Sequence, residues 1–131
     1  MKKLTLIFTL LFSTVMFSSP SYAKWTKVSE SVDGDTFYVD FKSIKKSKGY
    51  TYVWSLDDYV EPFKESGILS LKTYMKIDCN SNGYKRLSWI GYKTSMGKEP
   101  HFFTNSNADK NWKYYPPESS WDIAIKKICS Y

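Results

Sequence analysis

The stretch I-L-S-L-K-T-Y-M-K-I-D-C, Ile68 to Cys79, decides the fold. Its odd positions are Leu69, Leu71, Thr73, Met75, Ile77 and Cys79, and its even positions from Ser70 on are Ser70, Lys72, Tyr74, Lys76 and Asp78. Successive side chains leave a strand on opposite sides, so this alternation marks a strand with one buried face and one wet face. Cys79 falls on the buried side. The other of the two cysteines, Cys129, closes the run W-D-I-A-I-K-K-I-C. There Trp121, Ala124, Ile125, Ile128 and Cys129 form one apolar stripe at helical spacing. Both sulfurs thus sit on core-facing surfaces, and we infer one disulfide joining a C-terminal helix to the inner face of a sheet.

Working outward, the N-terminus reads as a leader. Lys2 and Lys3 precede a mostly apolar run, Leu4 to Phe17, which is too short for a membrane span. Ser21-Tyr22-Ala23 places small residues where a signal peptidase reads. Residues 1–23 are therefore expected to be a cleavable signal peptide, and 24–131 one domain without an integral membrane span. No cysteine stands at the cut to take a lipid anchor, so the expected location is periplasmic, secreted or at the cell surface. An oxidising compartment suits a disulfide. Closing a loop of about fifty residues stabilises by roughly 4 kcal/mol in the chain-entropy model.

Without Lys2 and Lys3, the 19 basic side chains become 17, against 13 acidic ones. That bias is too mild to indicate a nucleic-acid partner. Aromatics are abundant. All five Trp, ten of eleven Tyr and five of eight Phe follow Ala23, more than a small core needs, so some are expected at the surface.

The remaining segments read as short strands joined by turns. Trp25 to Val32 and Thr36 to Phe41 flank Asp33-Gly34, a hairpin signal because glycine accepts positive φ. Lys42 to Gly49 reads as a polar connection anchored by Ile44. Tyr50 to Tyr59 is a long strand, ended by Glu61-Pro62. Asn82-Gly83 marks a further hairpin into Lys85–Met96, where a change of parity predicts a bulge near Ile90-Gly91. Glu99 to Thr104 is a short final strand. Ser119 suits a helix N-cap with Asp122 as its capping-box partner, and Lys126 and Lys127 complement the last turn. The expected fold is α+β: an antiparallel meander of about six strands, one C-terminal helix on one face, and one disulfide.

These residues resemble the surface-adhesin E family of exported bacterial proteins over nearly all of residues 24–131. The likeness rests on Trp25, Tyr38-Val39-Asp40, Trp54-Ser55-Leu56-Asp57-Asp58-Tyr59, Ser70-Leu71-Lys72, Asp78-Cys79, Met96-Gly97, Trp112, Pro116-Pro117, Ser119 and Cys129. The resemblance implies the same sheet and helix, a Cys79–Cys129 bond and a non-enzymatic role. It also implies binding to host matrix or plasma glycoproteins and dimerisation. A periplasmic accessory protein that binds another envelope component or itself is the alternative.

No cofactor, metal site or catalytic residue is expected. The single histidine, His101, stands beside Pro100 and Phe102-Phe103 without catalytic partners. Asp57 and Asp58 are adjacent on a strand, point to opposite faces and do not converge as hydrolase carboxylates do. Asp33-Gly34-Asp35 lacks the downstream ligand of a calcium loop. The informative surface is the wet face of the central strand. Lys72, Tyr74 and Lys76 lie there, with Lys85 nearby, and Arg86 is expected to join them if Asn82-Gly83 is a two-residue turn. Tyrosine among basic side chains is typical of interfaces. These five are the candidate partner-binding residues. Trp112, in K-N-W-K-Y-Y, is expected to act as a lid over the helix–sheet junction, with an exposed aromatic contact as the alternative.

Overall fold

The computed structural model describes residues 24–131; the leader expected over residues 1–23 lies outside them. Six strands form one antiparallel sheet in chain order. They are β1 (Thr26–Glu30), β2 (Thr36–Ser47), β3 (Tyr50–Asp58), β4 (Ser70–Asp78), β5 (Gly83–Tyr92) and β6 (Phe103–Asn105). One helix, α1 (Ser120–Cys129), follows and packs on β1 and β2.

The period-two pattern of β4 survives as burial from Lys72 to Asp78, while Ser70, on the side expected to be wet, is fully buried and Leu71 only half-buried. Thr73, Met75 and Ile77 are buried, while Lys72, Tyr74 and Lys76 between them are half-buried. On the inner side, Val28, Phe37, Val39 and Val53 meet Ala124, Ile125 and Ile128 of α1. Cys79 and Cys129 are bonded, with their Cα atoms 5.6 Å apart across 50 residues of chain. Ser119 caps the helix by accepting from the Asp122 amide at 3.3 Å. The reciprocal bond reaches Glu118 rather than Ser119, since Asp122 Oδ2 accepts the Glu118 amide at 2.9 Å.

Two local readings are corrected. Lys42–Gly49 is not a connection: β2 runs on to Ser47, and the turn is Lys48-Gly49, both at positive φ (52° and 84°). The segment is polar because Lys42, Lys45, Lys46 and Ser47 are exposed, and its register slips between Asp40 and Lys45. Ser43 braces it, donating to the Asp40 carbonyl at 2.6 Å and accepting the Trp54 amide at 2.9 Å. The bulge of β5 lies at Leu87, not near Ile90-Gly91, because Tyr74 opposes Ser88 while Met75 opposes Arg86. The parity change is accommodated there by one extra residue.

Leu56 shares the face of Tyr52 and Trp54. It points away from α1, yet it is fully buried. A 3₁₀ turn, Ser95–Gly97, folds back over β3 and β4 and covers it. Asp58 holds this turn, accepting from the Ser95 hydroxyl at 3.0 Å and the Met96 amide at 2.8 Å. Ser70 adds a second tie, accepting the Gly97 amide at 2.8 Å and donating to the Thr94 carbonyl at 2.6 Å.

Candidate functional site

Helix α1 leaves the other face of the sheet open. In an antiparallel pair, directly opposed residues share a face. Tyr52 opposes Lys76, Trp54 opposes Tyr74, and Lys76 opposes Lys85. Lys72, Tyr74, Lys76 and Lys85 are therefore brought together as expected, and β3 adds Tyr50, Tyr52 and Trp54.

Arg86 does not join them. Asp78 opposes Gly83, so the turn is four residues, Cys79–Asn82, and Arg86 falls opposite Met75 on the helix side. A two-residue turn would have set it opposite Cys79, again on the inner side, so the parity expectation fails with either turn. Arg86 instead grips Asp109: Nε lies 3.1 Å from Oδ2 and Nη2 3.4 Å from Oδ1. Its guanidinium also lies over Trp89, 4.8 Å from the ring centre.

Trp112 takes the place Arg86 vacates. It is no lid. Lys113 bridges Tyr84 at the edge of β5, and the neighbouring indole stacks on Tyr50, with ring centres 5.5 Å apart. Lys85 Nζ lies 4.9 Å from the Trp112 ring centre and Lys76 Nζ 5.8 Å; Lys76 also sits 4.2 Å from Tyr50. The lid over the helix–sheet junction is Tyr115, stacked on Tyr84 at 4.2 Å and on Trp121 at 6.1 Å. Trp112 and Tyr115 stand three positions apart in a segment without regular structure, so sequence periodicity could not choose between them.

The open face thus carries a row of rings with lysines at both ends. Tyr74 stands in the middle, 5.1 Å from Trp54 and 6.2 Å from Tyr52. Beyond Trp54, Lys72 lies 4.9 Å from the Tyr92 ring and 5.9 Å from that of Trp25. Here Trp25, Trp54, Ile90, Tyr92, Lys72, Asp40 and Glu99 line a pocket of about 340 Å³. The even positions of β3 were the available signal for these rings. Their side of the sheet depends on the β3–β4 register, which the loop between those strands does not reveal.

The carboxylates are used elsewhere. Asp57 lies inside, beside Trp121, and accepts from the Tyr59 hydroxyl at 3.1 Å. Burial pushes its carboxyl up to about 7 against those hydrogen bonds, and the charge of Asp35 adds to the rise. Burial, together with the charge of Asp57, pushes the Tyr59 phenol up as well. Asp58 is on the opposite face, so the pair diverges. Asp35 accepts the Val60 amide at 2.9 Å, and exposed His101 lies 3.1 Å from Glu99. Among the described residues, no helix is long and apolar enough to cross a membrane.

Among the described residues, a six-stranded meander thus carries one disulfide-bonded helix on one face and a row of aromatic rings on the other. A family model for surface-adhesin protein E matches residues 25–130, and the chain belongs to that family. Solved structures of Haemophilus influenzae protein E have a similar fold. Its crystal form II is 15% identical with a TM-score of 0.61, covering 85% of this chain and 91% of that one. Protein E from the non-typeable organism is 15% identical with a TM-score of 0.56, covering 86% and 79%. Comparison with curated proteins finds no match.

Proposed function

We propose that this chain is an exported, non-catalytic binding protein that engages a host matrix or plasma glycoprotein through the open face of its sheet. The observation that carries this reading is the row Trp54–Tyr74–Tyr52, half-buried and ended by lysines on a face that α1 does not cover. Partly exposed aromatics with basic neighbours offer apolar area and hydrogen bonding at little entropic cost. Membership of the surface-adhesin protein E family supports the same reading. The divergence of Asp57 and Asp58 supports a non-catalytic role.

The test is a panel of immobilised matrix and plasma glycoproteins probed with the full chain and with a Lys72→Ala/Tyr74→Ala/Lys85→Ala variant. The variant is expected to keep its fold by circular dichroism and to lose binding. Arg86→Ala is expected to bind as the parent does. Equal binding by the triple variant would remove the open face from the reading. In the producing cell, digestion by externally added protease supports surface display, and protection supports a periplasmic accessory role.

A further inference from the structure

Lys76 and Lys85 are directly opposed across β4 and β5, an arrangement of like charges that destabilises a sheet. Both ammonium groups lean on Trp112, and Lys76 also leans on Tyr50. Among the described residues, neither has a carboxylate within ion-pair distance, nor does Lys72. By contrast Lys27, Arg86, Lys113 and Lys126 are each paired.

Acids on the open face make their hydrogen bonds to groups other than these lysines. Asp78 accepts the Asn80 amide at 3.0 Å and Asp40 accepts the Lys42 amide at 3.1 Å. Asp58 is held by the Ser95–Gly97 turn, and Glu99 by His101. Ammonium groups without a direct carboxylate contact thus stand at two stations, Lys76/Lys85 and Lys72, the latter beside Asp40 and Glu99, and rings fill the interval between them. Lys72 and Lys76 are four residues apart on one strand, about 13 Å at about 3.3 Å per residue. That spacing suits an extended chain carrying acid groups at intervals, and exceeds what one inorganic anion bridges.

The last strand of the sheet, β6, is only three residues long, which disfavours a peptide that adds a strand there. On β1, Lys127 Nζ donates to the Val28 carbonyl, and the Ser29 hydroxyl donates to Ser120 O. Along β5, β6 and the Asp109 and Lys113 backbones take the free groups.

We propose that the open face binds a linear acidic polysaccharide of alternating uronate and sulfated sugars, of the glycosaminoglycan class. Its acid groups sit at Lys76/Lys85 and at Lys72, and the sugar rings between them stack along Trp54, Tyr74 and Tyr52. This rests on the proposed function and narrows its ligand to the glycan chain of a matrix proteoglycan.

The probe is a heparin octasaccharide, titrated calorimetrically into the full chain, with a neutral glucan octasaccharide as comparison. The heparin fragment is expected to bind and the glucan not. Affinity is expected to fall between about 0.05 M and about 0.3 M ionic strength, as screening shortens the reach of the lysines. Lys76→Met/Lys85→Met is expected to weaken binding roughly tenfold or more. Lys27→Met, which alters a paired lysine, is expected to leave it unchanged. Thermal melts confirm that each variant is folded.

Equal binding of both sugars overturns the proposal, and so does unchanged affinity in Lys76→Met/Lys85→Met. A ligand-independent dimer that Trp112→Ala dissociates, and that ignores the heparin fragment, also overturns it and assigns the face to a second copy. A second arm separates this inference from the reading beneath it. If glycoproteins stripped of glycosaminoglycan bind as well as untreated ones, the inference fails and the proposed function stands. If neither form binds, both fail.

Discussion

Gly97 makes the room that Lys72 occupies: a Cβ at residue 97 would lie 2.5 Å from Lys72 Cε and 3.3 Å from Leu56 Cδ1. The backbone at Gly97 also has φ +61°, a conformation that costs a residue with a side chain. Gly97→Ala is therefore expected to lose about 1–2 kcal/mol of stability. Part of that loss is the collision with the lysine stem. In a Lys72→Ala background the same change is expected to cost at least about 0.5 kcal/mol less. Urea unfolding of the four proteins measures the coupling; strict additivity would show that the stem yields without cost.

Asp57 makes stability depend on pH. Its folded pKa, about 7, lies above its ordinary value of 3.8, so the folded state holds a proton that the unfolded chain has released. The stabilisation is complete below about pH 4 and is lost as pH rises through about 7. Between pH 5 and pH 8 this group is expected to remove about 1–3 kcal/mol. Asp57→Asn keeps an acceptor for Tyr59 and carries no charge. Its unfolding free energy should therefore be flatter over the same range. A parallel pH dependence in parent and variant would assign the effect to another group.

Removing the cross-link tests the joint between helix and sheet. Cys79→Ala/Cys129→Ala frees a loop of 50 residues and is expected to cost about 2–4 kcal/mol. Because α1 still buries Ala124, Ile125 and Ile128, the variant is expected to keep its helical signal and to unfold at lower denaturant. A loss below about 1 kcal/mol would mean that packing alone holds α1 in place.

Arg86→Ala separates a structural base from binding ones. It removes the bridge to Asp109, whose side chain is only 9% exposed and whose backbone amide donates to the Arg86 carbonyl at 2.8 Å. The expected loss is about 1–2 kcal/mol, because the arginine itself is partly solvated and its attraction to Asp109 is screened. Amide exchange should quicken in residues 109–113, while the open face keeps its ligand affinity. A variant of unchanged stability that loses the ligand would return Arg86 to the binding surface.

Alternation in Leu69–Cys79, the apolar stripe from Trp121 to Cys129 and the short connections between strands together indicated an antiparallel sheet, a covering helix and the bond between them. Periods of two and of 3.6 residues are local properties, and they say which side of each element must leave water. Which elements share a side is not local. Tertiary structure alone set Arg86 against Asp109, brought Trp112 to the open face, put Tyr115 over the junction and buried Leu56 beneath Ser95–Gly97. Each of those outcomes depends on strand register or on an irregular segment crossing the sheet. Register follows from loop length and bulges, and an irregular segment packs by shape, so neither leaves a periodic trace in the sequence.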